Sequence, residues 1–373
     1  MKNLKKTNYF TNYLKGLACL GIVLVHCRFP SAPGAVITAF ARSGIPFFFM
    51  LSGYYTFYTD REKTLAVTGR RVKKTFQLLV TAMFFYIAWR FLPKLLSGGI
   101  QEAFLWVKTA LFQQQIILEF LLLNVTDSVN GVLWYIPAAL YVYLLFGILV
   151  KSGSKGNAPG IKGNAPGIHE NAPGIHENDS GINENAPGSK WNALYIAALI
   201  LLAVNLVLCE IGSLAGLGIH LKWYRNFLLT GFPLFMLGHY LHKKEKEIQM
   251  LKRNTPILIA ALGGAMILLE CRLVGNALLY TGNVVFIIGL YLYAIQNSLI
   301  KKGTLMEQVG SKLYLYIYIS QVAVIETMDK LTERVSFFEG TMGLYVKPVL
   351  VLAAVVLFSA LLYYTKSKLT YRK

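Results

Sequence analysis

The stretch LKGLACLGIVLVH, residues 14–26, decides the fold of this chain, and GIPFFFMLSGYY, residues 44–55, extends the same pattern. Both runs are apolar enough to lie in a membrane, yet the first carries Lys15 and His26. Eleven positions along an α-helix bring two side chains to nearly the same face, about 16 Å apart. A histidine inside a membrane span is costly without a partner or a task, so His26 is a candidate functional residue.

The composition of the chain predicts a protein that crosses a membrane several times. It is 55% hydrophobic and 13% aromatic, with a mean hydropathy of +0.49. We therefore expect an all-α, polytopic integral membrane bundle, because about 20 apolar residues cross a bilayer as a helix. The first segment has no small-residue cleavage site after it and is expected to remain in the protein. About ten transmembrane helices are predicted, at residues 13–30, 35–58, 75–97, 131–150, 191–211, 226–242, 255–273, 276–299, 308–328 and 344–366.

The distribution of positive charge predicts the orientation in the lipid bilayer. The chain has 37 Lys and Arg against 18 Asp and Glu, a net charge of +19. With both termini in the cytoplasm, most of these cations fall on the inner side, as the positive-inside rule describes. We therefore expect a multi-pass protein of the cell membrane with cytoplasmic N- and C-termini. Anchoring to an anionic leaflet accounts for most of the charge, and without a soluble basic domain we expect no nucleic acid partner.

The segment 104–123 is apolar but carries Lys108, Glu119 and three glutamines at 113–115. Counted as a span, it would reverse the orientation of everything downstream and remove the charge asymmetry. We therefore expect it to form an interfacial or re-entrant helix on the outer side of the membrane.

Residues 152–190 form an internal repeat in which an asparagine recurs every seven residues, mostly within Asn-Ala-Pro-Gly-Ile units. Proline and glycine in nearly every unit oppose a coiled coil, because proline breaks a helix and glycine weakens it. The composition predicts a flexible loop, and the asymmetry of positive charge places this heptad-repeat loop in the cytoplasm. We expect it to lie within a single membrane domain that covers residues 1–373. His169 and His176 recur with the repeat unit, and we expect no metal site, since no Cys/His cluster of the sequence has zinc spacing.

Three motifs together resemble those of the membrane acyltransferase-3 family. Its members begin with an Arg-(ten residues)-His helix, and here Lys15 stands in the arginine's place before His26. A Phe-Phe-x-x-Ser-Gly stretch follows, here residues 48–53, and then a short basic run, here RRVKK at residues 70–74. Weaker similarities extend the resemblance over nearly the whole chain, at residues 133–135, 235–238 and 310–321.

The resemblance implies an integral-membrane O-acyltransferase, in particular an acetyltransferase, that modifies an envelope or exported carbohydrate. Its donor would be acyl-CoA, such as acetyl-CoA, which arrives from the cytoplasm as a substrate, and no cofactor would be bound permanently. The acceptor would be a glycan hydroxyl toward the outer face. The chain ends soon after its last predicted span, so we expect no appended esterase-like domain. Either this domain completes the transfer itself, or a separate extracytoplasmic transferase does.

The predicted catalytic base is His26, since an imidazole with an unperturbed pKa of about 6.5 can take a hydroxyl proton near neutral pH. Its alternative role is to bridge two helices. The basic run is predicted to bind the phosphates of the donor, because arginine forks fit phosphate geometry; charge that only sets the topology is the alternative. Lys15 would add a point charge without a fork, or would extend to the membrane surface. The predicted donor-binding residues are Lys15, Arg70, Arg71, Lys73 and Lys74.

A further set of residues is predicted to orient the base or to line the substrate. A carboxylate often orients an imidazole base, and three glutamates lie toward the outer ends of their predicted spans, as His26 does. Gln321 stands where family members often have histidine, and a glutamine cannot relay a proton at neutral pH. Ser52 lacks the turn that exposes a nucleophile and fits close helix packing instead. The set consists of Ser52, Trp134, Glu210, Glu270, Gln321 and Glu326.

Two other functions stay open from the sequence. A transporter or exporter of a lipid-linked glycan would line its path with the intramembrane charges, although the sequence shows none of the repeated halves typical of transporters. A non-catalytic membrane partner of a glycan-synthesis complex is compatible with the altered family positions Lys15 and Gln321. Thioester hydrolysis or acyl transfer by the purified protein separates the enzyme from both alternatives.

Overall fold

A computed structural model describes residues 7–152 and 187–371 of the chain. Within these ranges every regular element is a helix, and no strand is present. The prediction of an all-α bundle is therefore confirmed, whereas most of the heptad-repeat loop, predicted at 152–190, lies outside the described residues. The α-helices are, in chain order, α1 Tyr9–His26, α2 Ser31–Ala41, α3 Gly44–Tyr54, α4 Arg61–Leu111, α5 Gln114–Leu123, α6 Tyr135–Ser152, α7 Pro187–Leu214, α8 Phe232–Lys243, α9 Glu245–Gln249, α10 Thr255–Leu273, α11 Thr281–Gln296, α12 Leu305–Gln308, α13 Tyr314–Thr332 and α14 Thr341–Tyr371.

Six helical stretches among the described residues are long and apolar enough to cross a membrane. The protein is therefore a helical membrane protein, and the remaining predicted spans coincide with α1, α8, α11 and α13, which are shorter or more polar. The count of ten stays a prediction. The central stretches bury 56% of their most apolar segment, whereas α10 buries 17% and α14 22%, so the outer helices present apolar side chains to lipid. The six are Ser31–Tyr54, Arg61–Leu111, Gly131–Ser152, Lys190–Leu214, Thr255–Leu273 and Thr341–Lys368.

Two predicted segments are divided in the structure. The predicted span 35–58 consists of α2 and α3, which meet in a turn at Arg42 and Ser43. Pro46 follows this turn, and without an N–H group it cannot donate to the carbonyl of Arg42 as a continuous helix would require. The predicted interfacial helix 104–123 is divided between the end of α4 and α5, because Gln113 between them is extended, with ψ of 133°.

Helix α4 contains 51 residues because Gly99 joins two helical halves at a kink. A straight helix of that length would measure about 76 Å, more than twice the ~30 Å hydrocarbon core of a bilayer. Gly99 has a φ of +74°, a conformation that favours glycine. The kink thus turns the chain just after the predicted span 75–97.

Contacts between helix termini define one end of the bundle. The N–H of Tyr9, at the start of α1, donates to the carbonyl of Ser298, just after α11, at 2.8 Å. Arg61, at the start of α4, donates to the carbonyl of Val150 near the end of α6 at 3.2 Å. We call this the inner end, and the opposite end, with the end of α1 and the start of α6, the outer end. That the inner end faces the cytoplasm stays a prediction.

Helices α3 and α8 cross at two glycines, one on each helix. A Cβ atom at Gly53 would overlap the carbonyl oxygen of Phe235, and one at Gly238 would overlap that of Met50. Small residues at such crossings let two backbones approach closely. The contact lies in the main buried core and fixes the position of α3, which forms one wall of the cavity described below.

Replacing Gly53 with alanine should destabilise the bundle, because the new methyl group has to displace the backbone of α8 and not a flexible side chain. Overpacking of this kind costs about 1–3 kcal/mol. Gly69→Ala is the matched control, since nothing lies within 4 Å of a Cβ atom at Gly69 in α4. Thermal unfolding in one detergent should give a lower midpoint for Gly53→Ala and an unchanged or higher one for the control. Equal midpoints would mean that α8 yields to the methyl group without cost.

Candidate active site

A cavity of about 510 Å³ lies between α1, α3, α6 and α13, and we call it the central cavity. Its wall includes both Asn12, near the inner end of α1, and His26, at the outer end of the same helix. Fourteen residues of helix rise about 21 Å, so the cavity reaches through much of the bundle. It brings together six of the residues singled out in the sequence, namely Lys15, His26, Ser52, Arg71, Trp134 and Gln321.

His26 is the last residue of α1, and its side chain is exposed to the central cavity. Among the described residues, the imidazole has no hydrogen-bond or ion-pair partner, so no bond from this ring bridges two helices there. Both ring nitrogens are therefore open to a bound molecule, and a neutral imidazole offers one donor and one acceptor. The cavity can present His26 to a substrate as a proton acceptor.

Lys15 lies against the central cavity and is half-buried. Its Nζ is 4.0 Å from the centroid of the Tyr314 ring, a cation–π contact. Helix α1 packs closely against the segment just before α13, where a Cβ atom at Gly310 would overlap the carbonyl oxygen of Asn12. Asn12 also donates to the carboxylate of Glu307 at 3.1 Å. The ammonium group is thus kept inside the bundle, about 16 Å along α1 from the imidazole.

A second cavity, of about 850 Å³, opens at the inner end beside the first, and we call it the inner cavity. Arg70, Arg71 and Lys74 of the basic run line it, together with Lys366. Lys73 is exposed and lines neither cavity. The structure therefore brings three of the four predicted cations of the run to one concave surface.

Arg71 lines both cavities and stands at their junction. Its guanidinium donates to the hydroxyl of Tyr143 at 3.1 Å and to the carbonyl of Tyr55 at 3.0 Å. None of the ion pairs among the described residues involves it, so its charge is not neutralised there by a carboxylate. A cation held in this way is suited to bind a phosphate group.

The remaining residues of the central cavity offer hydrogen-bonding groups. The hydroxyl of Ser52 lies 3.5 Å from that of Tyr135. Gln321 is fully buried on α13; its amide nitrogen donates to the carbonyl of Tyr318 at 3.3 Å, and its Oε1 has no partner among the described residues. An unpaired buried acceptor favours a ligand that donates to it, such as a hydroxyl.

Trp134 is buried just before α6, in the wall of the central cavity. Its ring lies 6.1 Å from that of Phe49 and 5.6 Å from the guanidinium carbon of Arg225. A position between an aromatic side chain and a cation fixes the ring in one orientation.

None of the three glutamates predicted to orient the base lines the central cavity. Glu326 accepts from Arg90 at 2.5 Å. Glu210 accepts from a hydroxyl at the start of α11 at 2.7 Å, and Glu270 accepts from a backbone N–H there at 3.0 Å. The geometry does not bring these carboxylates to His26. The position of each glutamate in the sequence predicted how deep it lies in the membrane, but not which neighbouring helix its side chain faces.

Two further arginines, Arg42 and Arg225, line the central cavity, and neither was predicted from the sequence. Arg42 is only 6% exposed and lies between α2 and α3. The sequence contained a signal for Arg42, because a lone cation within an apolar predicted span is a functional-site candidate. Arg225 precedes α8 in a short polar stretch, where a cation is common, and it pairs with Asp127 at 3.0 Å.

The fold and the cavity together define a polytopic membrane protein whose helices enclose a chamber with one imidazole and several cations. A family model described as an acyltransferase domain, that of the acyltransferase-3 family, matches residues 8–364. The chain therefore belongs to this family and is a membrane acyltransferase, which confirms the resemblance in its motifs. Comparisons with curated proteins and with solved structures gave no match. The roles of the individual residues stay predictions.

Proposed function

We propose that this acyltransferase moves an acyl group, in the first instance acetyl, from acyl-CoA to a hydroxyl of an envelope or exported carbohydrate. One observation carries the proposal. His26 and Lys15 share one wall of the central cavity, and Arg71 joins that cavity to a basic inner cavity. The arrangement offers a phosphate-binding surface and a proton acceptor in two adjoining cavities that share Arg71 as a wall residue.

The donor enters by the inner cavity. Its phosphates pair with Arg70, Arg71 and Lys74, because guanidinium and ammonium groups form charge-assisted hydrogen bonds with phosphate oxygens. The extended pantetheine arm then follows the wall of α1 past Lys15. The thioester reaches the part of the central cavity that His26 lines.

The chemistry is a direct transfer of the acyl group from the thioester sulfur of the donor to the hydroxyl oxygen of the acceptor. His26 takes the proton of the acceptor hydroxyl as general base. The hydroxyl oxygen forms a bond to the thioester carbonyl carbon, and the carbon–sulfur bond then breaks. The proton passes from the imidazolium to the thiolate, so that free CoA and an O-acyl ester are the products.

We propose that the protein lies in the cell membrane, with the inner end and both termini in the cytoplasm. The excess of Lys and Arg in the segments assigned to that side supports this orientation through the positive-inside rule. The acceptor arrives from the outer end, or a separate extracytoplasmic transferase passes the group on. Membership in an acyltransferase family supports catalysis over a transporter or a non-catalytic partner.

The test uses the full-length protein, purified into nanodiscs and given acetyl-CoA with and without an envelope glycan fraction. We expect the glycan to speed the consumption of acetyl-CoA, and mass spectrometry to find acetyl esters on the glycan. Heat-inactivated protein should give neither result. If folded protein consumes neither acetyl-CoA nor a longer acyl-CoA with any glycan fraction, the proposed function is wrong.

A further inference from the structure

Two buried side chains at the outer end carry hydrogen-bond donors without a partner in the part of the chain that the structure describes. Thr38 and Arg42 are one helical turn apart at the end of α2, and they are 4% and 6% exposed. The hydroxyl of Thr38 and the Nε and Nη1 atoms of Arg42 have no hydrogen-bond partner among the described residues. Nη2 of Arg42 donates to the side chain of Asn276. Buried polar groups are nearly always satisfied, so a group of three that is not requires an explanation.

Both side chains line an opening of about 330 Å³, which we call the outer opening. Among the described residues its wall includes a second arginine, the exposed Arg28, and no carboxylate. A buried charge without a partner is unfavourable, because the group has lost its hydration and gained no opposite charge. The outer opening therefore has the electrostatics of an anion site.

The protein does not supply that anion from the carboxylates near the start of α11. Glu210 and Glu270 each accept hydrogen bonds from the first residues of that helix, and neither lines the outer opening. Asp127 is paired with Arg225. The charge of Arg42 is left for a ligand.

Arg42 also lines the central cavity, together with His26. It is the residue that the walls of the outer opening and the central cavity have in common. Arg42 therefore borders both spaces, and a molecule bound to it lies next to the cavity that His26 lines. The same molecule can carry both the anionic group and the hydroxyl that receives the acyl group.

We propose that the outer opening binds an oxyanion, a carboxylate or a phosphate, that belongs to the acceptor. This inference rests on the proposed acyl transfer and narrows the acceptor to anionic carbohydrates. A guanidinium and a hydroxyl donating to one group match an oxyanion, and charge-assisted hydrogen bonds are about twice as strong as neutral ones. A neutral sugar would satisfy the donors but leave the charge of Arg42 unneutralised.

The test measures the binding of three sugars to the full-length protein in nanodiscs without acyl-CoA. D-glucuronate, D-glucose 6-phosphate and D-glucose share one ring and differ at the sixth carbon. We expect at least one of the anionic sugars to bind about tenfold or more tightly than glucose, as one charge-assisted hydrogen bond would give. The tighter of the two identifies the oxyanion as a carboxylate or a phosphate.

Two variants test whether the side chain of Arg42 causes the preference for anionic sugars over glucose. Arg42→Gln should bring the three affinities together, whereas Arg272→Gln, which removes an exposed arginine from α10, should keep the preference. Equal binding of the three sugars, no saturable binding, or an unchanged preference in Arg42→Gln would overturn the inference. Because no acyl-CoA is present, loss of acyl transfer with an intact anion preference would contradict only the proposed function.

A second measurement tests a purely structural role for Arg42. Arg42→Met keeps an unbranched, apolar side chain but removes the guanidinium, and with it the charge and the bond to Asn276. In the absence of sugar we expect its unfolding midpoint to equal or exceed that of the wild type, because a buried, unneutralised charge is gone. A lower midpoint would show that Arg42 serves to hold the Asn276 segment, and the inference would fail.

Discussion

His26→Gln should abolish detectable acyl transfer while the protein still inserts, folds and binds acyl-CoA. Glutamine retains hydrogen bonding but cannot accept a proton near neutral pH. General-base catalysis typically contributes about 10²–10⁴ in rate, so we expect kcat to fall by that factor. The KM for acyl-CoA should change little, because the predicted phosphate contacts lie at the other end of the cavity. Steady-state kinetics on the purified variant measure both quantities.

The matched control for this variant is His220→Gln. His220 is exposed and lines none of the cavities, although its Nδ1 accepts from the N–H of Lys222 at 3.3 Å. We expect this control to retain wild-type turnover. Near-normal turnover in His26→Gln would mean that the imidazole does not act as the base.

Arg71→Gln should weaken acyl-CoA binding more than any other change in the basic run. Its guanidinium is held at the junction of the two cavities by Tyr55 and Tyr143. A hydrogen bond to a charged group is worth about 1.5–3 kcal/mol, which corresponds to roughly a 10- to 100-fold loss of affinity. The loss should grow smaller at high ionic strength, because salt already weakens the wild-type interaction. Equilibrium binding of acetyl-CoA at two salt concentrations measures the effect.

Two neighbouring variants rank the contributions of the run. Arg70→Gln removes a cation that lines the inner cavity but not the central cavity. We expect a smaller loss of acyl-CoA affinity than for Arg71→Gln. Lys73→Gln removes an exposed cation that lines neither cavity, and it should leave the affinity unchanged. Equal losses in all three would show that the run acts through its overall charge or through topology. No loss in Arg71→Gln would remove this residue from the donor site.

Local patterns in the sequence predicted those features of the structure that depend on one helix. The apolar runs predicted the helices, and the eleven-residue spacing placed Lys15 and His26 on one face, where the structure shows both against one cavity. Which of the predicted residues lie away from the central cavity depends on the rotation of one helix against another. Glu326 lies at a depth that suits His26 but points to Arg90, and no pattern within α13 reports that direction.

The division of the second apolar segment shows a different reason for failure. Gly44 and Pro46 were visible in the sequence, but hydropathy averaged over a span does not register a turn of two residues. That turn carries Arg42 into the bundle, so the missed break and the missed arginine are one error. An ionisable residue within an apolar run is for this reason a functional candidate in its own right.

The inner cavity and the outer opening each share wall residues with the central cavity, but they share none with each other. If the transfer proceeds as proposed, both substrates are bound at once, and neither blocks the departure of the other's product. Initial-rate plots would then intersect, as for a ternary complex, and would not run parallel as for an acylated enzyme. The sugar and the nucleotide each stay on their own side. Only the acyl group then passes from the donor side to the acceptor side. This transfer does not require the helices to alternate between inward-facing and outward-facing states.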